Sequence, residues 1–170
     1  MNTRNISLIL IGLFTLTHSF AFGQAGAQPQ TTLRVEGEVS HPITIQATDL
    51  AKMKRVQALA TDHDGKEHNF SGFSIASILE LAGAPLGSQL RGKNMNKYLL
   101  VISRDGYRTV FSLAELDSSF TSHTILLADQ ADGHPLPADK GPFQIIVPGE
   151  KKHARWTWGV TTFIVQSAKE

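Results

Sequence analysis

An α+β domain built mainly on antiparallel or mixed β-sheet is what this sequence of 170 residues predicts. Three observations carry that expectation. Short runs in which apolar and polar residues alternate recur along the chain, about eight in all. Three Asp-Gly pairs, at 64–65, 105–106 and 132–133, stand where tight turns are needed. Helical patterns are few, two or three at roughly two turns or less, so sheet dominates.

Taken in order, residues 32–39 (TLRVEGEV) alternate as a half-buried strand does, and 43–46 form a second short strand. Thr48 caps a brief helix over 49–53. Residues 55–61 (RVQALAT) read as a strand that turns at Asp64-Gly65 into 67–70. The strongest helix is 74–82 (SIASILELA), capped by Ser74 and stopped by Gly83 and Pro85. Residues 97–103 (KYLLVIS) are apolar almost throughout, as a central strand is. Asp105-Gly106 then turns the chain into 107–111, and Ser112 caps a short helix over 113–116. Residues 124–128, 143–147 and 160–166 complete the strands, and Pro135 and Pro137 mark the loop that follows Asp132-Gly133.

Residues 6–22 (ISLILIGLFTLTHSFAF) carry no acid or base apart from His18, follow a short polar start with Arg4, and lead into small residues. That is the plan of a secretory signal peptide, with cleavage after Gly23 or as late as Ala27. A membrane anchor needs about 20 apolar residues, and this run is shorter and interrupted by Thr, Ser and His. The expected organisation is therefore a signal peptide over 1–23, a linker over 24–31 and one domain over 32–168, exported to the periplasm. With Arg4 removed, the 16 basic residues fall to 15 and match the 15 acidic ones. A balance near zero argues against nucleic acid as a partner. There is no cysteine, which excludes a thiolate nucleophile and a thiolate metal ligand.

Several motifs fail on inspection. Residues 87–94 (GSQLRGKN) approach a phosphate-binding loop, but Asn94 lacks the hydroxyl that holds magnesium and a helix, not a strand, precedes them. His63 and His68 flank a turn, with Asp62 nearby, yet a metal site needs three or four convergent ligands. No G-x-S-x-G elbow is present. The segment EKKHARWTWGV, at 150–160, holds both tryptophans directly after a cluster of cations. On residue type alone, both indoles are expected in the core and the Lys-Lys-His run in solvent.

Four segments taken in order point further: LRVEGEVSHPITI (33–45), FSGFSIASILELAGAP (70–85), VISRDGYRTVFSLAELD (101–117) and ILLADQADGHPLPADKGPFQIIVPGEKKHARWTWGV (125–160). Together they resemble the oxidoreductase molybdopterin-binding domain, the core of the sulfite-oxidase-like fold. Catalytic members of that family hold molybdenum through a cysteine in the strand that corresponds here to 56–62 (VQALATD), where no cysteine stands. Molybdenum favours a soft sulfur ligand, which a threonine hydroxyl does not replace. The family's His and Arg around the "G-P" loop have Lys140 and Gln144 as their counterparts. The sequence also lacks the extra domain that dimerises sulfite oxidases. The resemblance therefore implies a pocket shaped for a pterin without oxygen-atom transfer, as in small, exported, cysteine-free members. Those bind pterins in the periplasm and report to a membrane-bound diguanylate cyclase or phosphodiesterase that makes or degrades cyclic di-GMP.

A pterin needs an aromatic face for stacking and a carboxylate or carbonyl to accept from its guanine-like edge. In an extended 153–160 segment, Ala154, Trp156 and Trp158 share one face and His153, Arg155 and Thr157 the other. The resemblance favours Arg155 and Trp156 as ligand contacts, with Asp62, Asp105 and Asp117 as candidate carboxylates and Tyr107 as a second aromatic. The expected function is thus a non-catalytic pterin-binding protein. The alternatives are a molybdopterin-dependent oxidoreductase that lacks the cysteine ligand, and a ligand-free interaction protein.

Overall fold

The structure, a computed structural model, describes residues 32–169. The expected signal peptide and linker lie outside them. Ten strands are present among the described residues: β1 (Thr32–Gly37), β2 (Ile43–Gln46), β3 (Val56–Thr61), β4 (Glu67–Ser74), β5 (Lys97–Ser103), β6 (Arg108–Ser112), β7 (Leu126–Ala131), β8 (His134–Pro135), β9 (Gln144–Ile146) and β10 (Val160–Ser167). Three short helices join them, α1 (Ala47–Leu50), α2 (Ile75–Leu81) and α3 (Leu113–Leu116). One sheet runs β2-β1-β10-β5-β6, with β1 and β10 parallel and the rest antiparallel. The other runs β3-β4-β7-β8, with β9 also paired to β7. The α+β, sheet-dominated fold is the one the sequence predicts.

Alternation explains the first sheet. Leu33 and Val35 of β1, Leu99 and Val101 of β5, and Phe163 and Val165 of β10 are all at most 1 % exposed, and they join residues of the second sheet in one core. Each such side chain contributes about 1.5–3 kcal/mol of burial. The central strand is β10, not β5, whose Leu100 and Ile102 are only half-buried. In the second sheet β4 is longer than the pattern predicts, because Phe70, Ser71, Gly72 and Phe73 are all buried between neighbours on both sides. Gly72 is there by necessity: a Cβ on it would lie 2.1 Å from the Leu127 carbonyl oxygen of β7.

The helix starts differ in detail. Gln46, not Thr48, closes the start of α1, through a capping box with Asp49. Ser74 occupies the N-cap of α2 without a side-chain capping bond, whereas Ser112 and Glu115 cap α3 reciprocally. The pair His134–Pro135, expected as loop, forms a minimal strand against β7.

His68 ties two hairpin ends together. Its Nδ1 is 2.6 Å from Asp132 and its Nε2 3.1 Å from Asp64, so both nitrogens face carboxylates. The Asp132 and then the Asp64 hydrogen bond raise its pKa. A folded-state pKa above the unfolded value of about 6.5 gives a contribution that is complete below that pH and fades as pH rises through the folded value. Thermal melts should therefore show His68→Gln less stable than the parent at pH 6 and equal to it at pH 9. A constant difference at both would mean that packing, not charge, is what His68 supplies.

Candidate functional site

Two segments distant in sequence meet where β3 ends. The first is Asp62-His63, leaving β3 for the Asp64-Gly65 turn, and the second is residues 153–158 after β9. The His63 ring lies 4.5 Å from that of His153 and 5.8 Å from that of Trp158, edge to face in each case. His153 in turn lies 4.4 Å from Trp156, which packs perpendicular to Phe70 at 5.7 Å. At the open end Lys140 Nζ stands 5.2 Å over the Trp158 ring and donates to Asp62 at 2.7 Å. The result is a ladder of rings from core to solvent, flanked by a carboxylate and a cation.

The pocket beside this ladder has a volume of about 230 Å³ and is lined by His63, Ser103, Asp105, Tyr107, His153, Ala154, Trp156 and Trp158. Asp105 accepts from the Ser103 hydroxyl and from the Tyr107 amide at 2.9 Å. Those two donors hold its carboxyl below the ordinary range. Tyr107 donates its hydroxyl to the Ala154 carbonyl at 2.8 Å, joining the β5–β6 turn to the tryptophan segment. Burial opposes the charge on Asp62, but the Lys140 and His63 N–H donors outweigh it and keep that carboxyl ionised.

Of the six residues expected to hold the ligand, Asp105, Tyr107 and Trp156 line this pocket, and Asp62 stands at its margin beside His63. Arg155 and Asp117 are placed elsewhere. Arg155 donates to Glu150 and Glu115, with its guanidinium 4.5 Å above the Phe111 ring. Asp117 accepts from the Gly87 and Ser119 amides and is 4 % exposed, so it fixes loops. The Gly87 amide, which a phosphate-binding loop would turn toward its anion, is engaged by that carboxylate.

The extended 153–160 segment is corrected by the structure. His153–Arg155 is a 3₁₀ turn, and Trp156 follows at φ −78° and ψ 64°, with the Thr157 amide donating to the Arg155 carbonyl at 2.8 Å. That is an inverse γ-turn, which breaks the alternation. Trp156 is consequently 3 % exposed and Trp158 40 %. One indole is core and the other is the open face.

Sequence reasoning passed over His63 and His153 as ring partners, Trp158 as the exposed platform and Lys140 as its cover. The only sequence signal for Lys140 was its place at the "G-P" loop. Gln144 is joined to Trp158 by an isolated backbone β-bridge, and its own side chain is fully buried outside the pocket lining. Both Gln144 amide atoms and Trp156 Nε1 are buried without a partner among the described residues. Such groups are normally satisfied.

The sequence model of the oxidoreductase molybdopterin binding domain matches residues 24–165. The chain belongs to this family. No curated protein matches it. Among solved structures this molybdopterin-binding domain is similar to the sulfane dehydrogenase SoxCD from Paracoccus pantotrophus, with a TM-score of 0.63 and 17% identity. The match covers 82% of this chain and 39% of the SoxCD chain, so it spans well under half of that protein and speaks for the fold.

The family's cofactor is a pterin bearing molybdenum, and the two parts fit this domain unequally. The chain offers no thiolate, and among the described residues no three His, Asp or Glu are grouped to hold a metal ion. The pterin part fits better. Carboxylates accept from ring N–H groups, indole and imidazole rings supply faces, and the partnerless N–H belongs to Trp156, which lines the pocket.

Proposed function

We propose that this molybdopterin-binding-type domain is a non-catalytic, exported binding protein that holds a pterin in the pocket between Asp105, Tyr107, His63 and Trp158. The observation that carries the reading is the meeting of the Asp105 carboxylate with an exposed indole, beside the end of β3, a strand without a cysteine. The pterin's amine edge is set against Asp105, and its ring against Trp158. In the periplasm such a protein reports pterin supply to the external domain of a membrane diguanylate cyclase or phosphodiesterase. Its own conformational difference between bound and free states would carry the signal.

Native mass spectrometry of the protein purified from a bacterial periplasm tests this directly. The expected result is a bound mass equal to a simple pterin with no molybdenum. Family membership supports a second reading, a molybdopterin oxidoreductase, and a molybdenum-bearing mass would establish that one instead. With pterin identified, Trp158→Ala should weaken binding roughly 5- to 150-fold, the loss of one stacked ring, read by titration calorimetry. An unchanged affinity would move the ligand away from Trp158.

A further inference from the structure

We propose that the cavity bounded by β1, α1, the start of β10 and residues 135–143 is a second binding site, for a small amphipathic monoanion: an apolar body carrying one carboxylate. This cavity, of about 800 Å³, shares no residue with the smaller pocket, and the inference does not rest on the pterin reading. Its walls include the buried Leu50, Phe73, Phe143 and Val160. Such a lining, with few polar groups, is the general form of a small-molecule site, and its volume lies within the usual range.

The charges select the ligand's sign. Arg34, Arg55 and Arg104 line the cavity against one carboxylate, Asp129. Arg55 and Asp129 form a two-pronged pair and neutralise each other. Arg104 spends its N–H groups on the carbonyls of Ala138, Asp139 and Gly141, which leaves its charge uncompensated but its donors engaged. Arg34 has one long bond, 3.4 Å to the Thr162 hydroxyl, and is exposed at the cavity rim. A guanidinium fork with only that long bond to compete, beside an apolar chamber, suits one carboxylate, which it meets with paired hydrogen bonds. A neutral apolar molecule would forgo that contact, and a cation would be repelled.

Decanoate and decanol are matched in length and differ in charge, so they serve as probes against the full chain in a ¹H–¹⁵N titration. Decanoate should shift the amides of Arg34, Phe73, Phe143 and Thr162 saturably, with decanol at least about tenfold weaker. Arg34→Gln should weaken decanoate by a similar factor while its other amides keep their positions, since Arg34 is exposed and its one side-chain bond is the long one to Thr162. Ala51→Trp, which fills the cavity from its exposed rim, should abolish binding. Equal binding of decanol and decanoate, shifts that never saturate, or decanoate binding that survives Ala51→Trp would each overturn the site. Pterin affinity is measured separately at Trp158, so either site can fail alone.

Discussion

Trp156→Ala is expected to lower stability by about 3–5 kcal/mol, the usual cost of emptying a large buried aromatic site. Trp156 is 3 % exposed and packs against Phe70 and His153, so its removal leaves a cavity at the junction of β4 with the 153–158 segment. The indole N–H, buried without an acceptor, offsets a little of that loss, because its desolvation disappears with it. Trp158→Ala, two residues on, should change stability by less than about 1 kcal/mol, since it is 40 % exposed and its ring meets the exposed His63 and the half-buried Lys140. Urea denaturation of the two variants makes the comparison. Equal losses would mean that both indoles are structural and would remove the exposed platform from the site.

Gly72→Ala should be as damaging, at about 3 kcal/mol or more, a fall of roughly 10 °C in Tm. The added methyl would sit 2.1 Å from the Leu127 carbonyl oxygen and 2.6 Å from the Ala128 Cα. Both are backbone atoms of β7 in the middle of the sheet, so no side-chain rotation relieves the overlap, and β4 and β7 must separate. The damage reaches the site, because β7 also carries β9 and hence Gln144. A melting temperature within two or three degrees of the parent, about 1 kcal/mol, would show that the strands yield at little cost.

The fold was largely legible. Alternation in β1, β3 and β10 and the Asp-Gly pairs reflect local rules: side chains on a strand point to opposite faces, and tight turns demand particular backbone angles. What local rules do not carry is which strand lies centrally. The apolar run of β5 resembles a strand covered on both sides, yet β10 holds the middle, because β1 and β5 both pair with it.

The candidate site was legible in composition and not in geometry. Asp105 and Tyr107 belong to one turn and Asp62 follows a strand, so type and position are enough to single each of them out as a candidate. Trp156 and Trp158 were assigned to one face by a period of two that an inverse γ-turn does not keep. The sequence leaves Arg155 free to reach a ligand, whereas in the structure Glu115, forty residues earlier, and Glu150 hold it. The contact of His63 with His153 joins two segments ninety positions apart and leaves no mark in the sequence around either ring.

The parallel pairing of β1 with β10 bears on the order in which the molecule is made. Arg34 sits beside Thr162, 128 positions later, and β5 reaches β1 only through β10. Until residues 160–167 have emerged, the first sheet has its outer strands and no middle. Closing so long a loop is only modestly costly at equilibrium but slow to search. A nascent chain of this protein therefore stays without its completed first sheet until β10 has been made. That is the condition in which a polypeptide can still be threaded end-first through a narrow pore.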